Sequence, residues 1–294
     1  MLAYCLPGRK VLCSFSMTTA QSEKLNPAEI NTPVDPEIED MMAAGVHLGH
    51  SRSRRNPGMM PYLWGVRNNV EIIDLTKTKE LLDHALAVLK QAAAAKKLVL
   101  LVGTRPSSRA LVSDMAIQLG YPAVTERWIG GTLTNFKVVR KRVETMEGLE
   151  QERATGGFEK YTKKEQLEKE KEIARLNQNF NGLRRLTKMP DLMVIIDIAH
   201  DASALREARR MKIPVVALTD TNTDPRMVTY PIPANDDARP SLQYLLGRMR
   251  GAFAEGAEAA RNQETAPTPS TPLGAGAAAN GTASLDAAQG KPRV

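Results

Sequence analysis

The strongest constraint on this chain is a succession of short, strongly apolar runs separated by stretches that read as helices. Residues 98–102 are Leu-Val-Leu-Leu-Val and end in Gly103, after which residues 107–119 carry a helical pattern. Residues 121–125 resemble a further strand. Residues 192–198 and 213–219 repeat the motif, with a helical stretch at 202–211 between them, and a final helix fits 237–253. Runs apolar at consecutive positions must be buried on both faces, and strands buried in that way with helical crossovers form parallel sheets. The expected fold class is therefore α/β, a doubly wound parallel sheet.

Upstream, residues 37–44 suit a short helix closed by Gly45, followed by a basic loop and a short strand at 70–74. Thr76 is placed to cap a long helix reaching about Ala95, with Leu81, Leu82, Ala85, Leu89 and Ala92 on one face. Between the strand–helix units, residues 135–188 contain no strand-like run. Phe136, Val139, Val143 and Met146 form one stripe at helical spacing, Ile173, Leu176, Phe180 and Leu183 a second, and Gly156 and Gly157 mark the turn between them. An antiparallel helical hairpin, a coiled coil inserted into the α/β domain, is expected, each stripe satisfied mainly by the other helix. The domain plan is an N-terminal extension over 1–35, a discontinuous α/β domain over 36–134 and 189–255, the hairpin over 135–188, and an Ala/Gly/Pro-rich tail over 256–294. Extension and tail are expected to be disordered, the tail because it has too little apolar surface to bury.

No apolar run approaches the roughly 20 residues a transmembrane helix needs, so no membrane partner is expected. The net charge of +7 is unevenly spread: residues 46–190 hold 26 basic and 15 acidic side chains, a net +11, and the flanks together a net −4. A concentrated positive stretch favours a polyanion, because Lys and Arg that neutralise phosphates release condensed counterions. An ordinary solvated surface is the competing reading. The two cysteines, Cys5 and Cys13, lie outside any core element and carry no disulfide argument. Residues 1–22, with Arg9, Lys10 and no acid, weakly resemble a transit peptide; Met17 is an equal candidate for the true start, and a start or leader artefact is expected in preference to an import signal.

Four segments carry the chemistry. His47-Leu48-Gly49-His50-Ser51-Arg52-Ser53-Arg54-Arg55 packs three guanidinium forks, suited to phosphate, beside two histidines. A metal on His47 and His50 would need a further ligand, which the neighbouring sequence does not supply. Gly103-Thr104-Arg105-Pro106-Ser107-Ser108 sits where a strand meets a helix N-terminus, a site suited to phosphate but without the lysine of a P-loop. Arg127-Trp128-Ile129-Gly130-Gly131-Thr132-Leu133-Thr134-Asn135 suggests a tight hinge leading into Lys137, Arg140 and Lys141, or simply a junction with Trp128 in the core. Asp197, His200 and Asp201 follow one strand and Asp220, Asn222 and Asp224 the next, at the edge where open α/β sheets bind ligands, though turn-forming roles suit them equally.

Taken in order, Gly45-Val46-His47-Leu48-Gly49-His50, Gly65-Val66-Arg67-Asn68-Asn69, Val102-Gly103-Thr104-Arg105, the Arg127–Asn135 segment, Asp220-Thr221-Asn222-Thr223-Asp224-Pro225 and Ile232-Pro233-Ala234-Asn235-Asp236-Asp237-Ala238 resemble the bacterial-type family of small-subunit ribosomal protein two. The likeness spans about residues 40 to 250. It implies a flavodoxin-like domain with an inserted helical hairpin, seated on small-subunit rRNA among neighbouring ribosomal proteins. It also implies a structural role in translation that helps dock the large OB-fold-repeat protein capturing mRNA, with no catalytic residue, cofactor or metal. Arg52, Arg54, Arg55, Arg67, Arg105, Arg127, Lys137, Arg140 and Lys141 are the expected RNA-binding residues, on a cytoplasmic ribosome in preference to an organellar one. Two other readings compete: an α/β enzyme acting on a phosphorylated small molecule, with the Gly103 turn for phosphate and Asp220 or Asp224 for a metal, and a helical-hairpin adaptor binding proteins through 135–188.

Overall fold

The computed structural model describes residues 35–265, with side chains through Asn262; the expectations for residues 1–34 and 266–294 lie outside them. Its centre is a five-stranded parallel sheet of β4 (Val99–Val102), β5 (Ala123–Val124), β6 (Leu192–Ile195), β7 (Val215–Thr219) and β8 (Tyr230–Pro233). The strand order is β5-β4-β6-β7-β8, which is the flavodoxin-like order with its reversal between β4 and β6.

Each apolar run divides by alternation between two cores. Val99, Leu101, Leu192, Val194, Val216 and Leu218 enter one cluster, and Leu100, Val102, Met193, Ile195, Val215 and Ala217 the other. The first face is covered by α1 (Pro36–Ala43), α2 (Leu75–Ala94), α3 (Pro106–Leu119) and α7 (Arg239–Thr265). The second is covered by α6 (Ala202–Arg210), by the Trp128–Leu133 segment and by the inner ends of α4 (Phe136–Ala154) and α5 (Lys163–Phe180).

Helices α4 and α5 run antiparallel, since Arg140 donates to the Arg184 carbonyl, Glu150 accepts from Asn177 and Glu152 pairs with Lys169. Gly156, at φ 74°, makes the turn, and Thr162 and Glu165 close a reciprocal capping box at the start of α5. The stripes differ from expectation in what satisfies them. Val139, Val143, Met146, Leu176, Phe180 and Leu183 share one cluster with the sheet residues Leu100 and Met193, so the pair's inner half is also a layer of the α/β core.

Four boundaries differ from the sequence reading for identifiable reasons. Asp74, not Thr76, caps α2, its carboxylate accepting from the Thr76 amide at 3.1 Å. The fifth strand, β8, is not among the strands expected from sequence; it contains Pro231 and Pro233, each of which removes a backbone donor. It lies at the sheet edge, where a missing donor can face away from the ladder. Residues 63–73 form two strands where one was expected, β2 (Leu63–Arg67) and β3 (Val70–Ile73), and part of the supposed basic loop is β1 (Leu48–Ser51). These make a separate antiparallel sheet in the order β1-β3-β2. Its hairpin turns on Asn68 and Asn69, at φ 50° and 63°, the two positive dihedrals of a type I′ turn, which asparagine tolerates. Finally, α7 runs on to Thr265 where its end was placed at 253 and a disordered tail from 256. Gly256 lets it pass close to the Lys90 carbonyl, where a Cβ would stand at 2.4 Å, and Ala260 is buried.

Candidate nucleic-acid interface

The three-stranded sheet positions the first set of cations. Arg67 pairs with Val70 across the hairpin, Val70 pairs with Ser51 of β1, and the Arg52 amide donates to the Asn69 carbonyl at 3.1 Å. Arg52 and Arg54, on the short 3-10 turn after β1, are thereby brought to the same end of the sheet as Arg67, and all three are exposed. The turn is anchored from below: the His50 amide donates to Thr221 Oγ1 at 2.9 Å and the Asn56 amide to the Thr221 carbonyl at 2.8 Å. Gly49 is required there, since a Cβ would stand 2.4 Å from Thr221 Cγ2.

Arg55 points the other way. Its guanidinium lies 3.2 Å from the carboxylate of Glu71, a side chain with no exposure. Burial raises the Glu71 carboxyl above its ordinary value, and the charge of Arg55 opposes that rise. Arg105 is engaged too, by Asp197 at 2.9 Å, Asp236 at 3.5 Å and Asp237. The Gly103 turn therefore delivers its cation into a carboxylate cluster at the carboxyl edge of the sheet. Asp236 is pushed up to about 9 by burial and by the neighbouring charges of Asp220, Asp197 and Asp237. A crevice so lined repels a phosphate.

His50 links the two regions. Its Nδ1 lies 3.0 Å from Asp220 and its Nε2 3.3 Å from Asn222 and 3.5 Å from Asp237. The hydrogen bond with Asp220 raises its pKa against the opposing effect of burial. One ligand atom each of His50, Asp220 and Asp237 lies within 4.8 Å of the others, a donor set that could hold a divalent cation. The sequence reading found no further ligand beside His47 and His50; Asp220 arrives from 170 residues away. His47 stays outside the group, its Nδ1 buried without a partner and its pKa lowered by burial.

The second set of cations surrounds the Trp128–Asn135 segment. Trp128 is 8% exposed and belongs to the core, while Arg127, Lys137 and Lys141 are exposed. Arg140 is half-buried, bonded to Glu144 and to the Arg184 carbonyl. The paired glycines bring backbone close to Glu207 of α6. That carboxylate accepts from Trp128 Nε1 at 3.1 Å, from the amides of Gly131, Leu133 and Thr134 at 2.7, 3.0 and 3.1 Å, and from Thr134 Oγ1 at 3.2 Å. Burial pushes the Glu207 carboxyl up, and these donors, Gly131 first among them, outweigh it, leaving it below its ordinary value.

A family model described as ribosomal protein S2 matches residues 41–256. The chain belongs to that family. It is 40% identical over 235 residues to the small ribosomal subunit protein uS2 of Rhodopirellula baltica, covering 78% of this chain and 90% of the relative. The uS2 protein of Sulfurimonas denitrificans is 42% identical over 219 residues, 74% of this chain and 85% of the relative.

In this S2-family chain the nine cations singled out from sequence thus divide. Arg52, Arg54 and Arg67 share one exposed end, and Arg127, Lys137 and Lys141 are exposed along the second segment. Arg55, Arg105 and Arg140 hold internal partners. Sequence reasoning missed Glu207, whose spacing carries no signal, and Trp64, which is 76% exposed in β2. No helix among the described residues is long and apolar enough to cross a membrane.

Proposed function

We propose that this chain is an rRNA-binding structural constituent of the small subunit of cytoplasmic ribosomes, supporting translation without a chemical step of its own. The observation that supports this most directly is the gathering of Arg52, Arg54 and Arg67 at one end of the antiparallel sheet, none of them in an ion pair among the described residues. Guanidinium forks left free on a rigid sheet suit phosphate oxygens. Residues 36–134 with 189–255 serve as the body and 135–188 as the insertion. The reading as an enzyme on a phosphorylated small molecule has little to stand on, because the Gly103 turn faces carboxylates.

Replacing Arg52, Arg54 and Arg67 together with alanine is expected to weaken binding to small-subunit particles lacking this protein. The slope of log affinity against log salt should fall by about one unit for each phosphate no longer neutralised. Lys97→Ala, which removes a cation from the far end of α2, is the control. An unchanged slope in the triple variant overturns the assignment of this surface.

The same reading includes docking of the OB-fold-repeat protein that captures mRNA. The surface we assign to it is the face of β2 that carries Trp64 and Val66, 76% and 47% exposed, with Met60, 54% exposed, in the turn just before the strand; exposed tryptophan is a frequent anchor of protein interfaces. Trp64→Ala should reduce co-sedimentation of that protein with reconstituted subunits at least tenfold while leaving rRNA affinity unchanged. Equal retention of the OB-fold-repeat protein would sink this docking assignment.

A further inference from the structure

The helix α6 carries Arg206, Glu207, Arg209 and Arg210, and its single acid is engaged by Trp128 and the Gly131–Thr134 stretch. Arg206 is satisfied on its own helix, by the Ala202 carbonyl and Ser203 Oγ. Arg209, Arg210 and Lys212 are exposed, as is Arg226 from the turn between β7 and β8. Among the described residues none of these four side chains pairs with a carboxylate. Three of them, Arg209, Lys212 and Arg226, line one open groove of about 390 Å³ floored by Ile213, Pro214 and Val228.

We infer that Arg209, Arg210, Lys212 and Arg226 form a second phosphate-binding surface, and that its occupant is the sugar–phosphate backbone of the small-subunit rRNA. The inference rests on the ribosomal reading above and adds a site to it. Three of these uncompensated cations meet at one groove from two separate segments, and Arg210 is exposed beside Arg209 in the last turn of the helix. A groove ringed by such charges concentrates a polyanion, and its solvent-exposed arginines can grip phosphate oxygens at little desolvation cost. Cations in a helix's last turn are also favoured by its dipole. That accounts for Arg209 and Arg210, but not for Arg226, which belongs to a different segment, nor for Lys212, which lies beyond the helix at φ 57°. The patch also neighbours the second set of cations. Glu207, one turn before Arg210, holds the loop that leads from exposed Arg127 to Lys137.

The test uses the full-length chain and small-subunit particles lacking this protein. Arg209→Ala, Arg210→Ala, Lys212→Gly and Arg226→Ala are combined, glycine being chosen because it accepts the positive φ at 212. The variant is expected to melt as the parent does, to bind about tenfold more weakly near 0.1 M salt, and to show a salt slope shallower by about two to three units. A photoreactive residue at position 227, whose methionine is 40% exposed beside the groove, should crosslink to rRNA. An unchanged slope in this variant, with the Arg52, Arg54 and Arg67 variant still impaired, overturns the second surface and leaves the ribosomal reading standing. Crosslinks to protein alone overturn it in favour of an acidic protein partner. Failure of the unaltered chain to bind the particles overturns the ribosomal reading and this inference together.

Discussion

Glu207→Ala is expected to destabilise the protein by about 3 kcal/mol, near the upper range for a single polar substitution. The carboxylate accepts five hydrogen bonds, four of them from the Gly131–Thr134 stretch. Alanine strands the Trp128 indole and the buried Leu133 amide, while the more exposed Thr134 donors can turn to water. Glu207→Gln should recover only part of the loss, because its amide group faces donors with a donor of its own. The pH dependence has a definite sign. The folded pKa lies below the ordinary glutamate value, so the stabilisation is fully present above the unfolded pKa, about 4.3. It is lost as pH falls through the lowered folded value. Urea denaturation of parent and Glu207→Ala at neutral pH and again well below pH 4 checks this: the gap should narrow in acid, and a gap that stayed constant would contradict the assigned role.

Gly182→Ala should cost about 2–4 kcal/mol by a different mechanism, steric overlap with backbone. Gly182 lies in the turn after α5, and a Cβ there would stand 1.9 Å from the Ala123 carbonyl oxygen and 3.0 Å from its carbon. No rotamer change relieves that overlap, because the obstacle is main chain. The close approach seats the end of α5 on β5, the two-residue edge strand whose ladder partner is β4. Loss of the seat should loosen the helix pair as well as lower the melting temperature. Hydrogen exchange would show faster amides in α5 and β5 with α2 and α7 little altered. A melting temperature within a degree of the parent would mean that the turn accommodates a side chain.

Legibility from sequence tracked the range of the signal. Burial patterning is local: the unbroken apolar runs in 98–102 and 192–198 placed β4 and β6, and the Val139 and Ile173 stripes placed α4 and α5, because each signal lies within one element. The edge strand β8 escaped because its prolines are tolerated only where one side of the ladder is open, and a strand's place in the sheet is not a local property. The hairpin at Asn68 and Asn69 did carry a local cue, two residues that accept positive φ between extended segments.

The functional surface behaved in the same way. Sequence by itself determined the α/β class, the paired helices and the positive stretch, since hydrophobic spacing and charge content are counted along the chain. Only the tertiary structure decided which cations are free. Arg55 and Arg105 look from sequence like Arg52 and Arg54, yet Glu71 lies beneath one and Asp197, Asp236 and Asp237 surround the other. Arg226 looks like an isolated charge until folding sets it beside Arg209 and Lys212. Ion pairing depends on distance through space, and the carboxylates that neutralise Arg105 are 92 residues or more away in the chain. Which arginine is left free and which meets a carboxylate is therefore settled by packing.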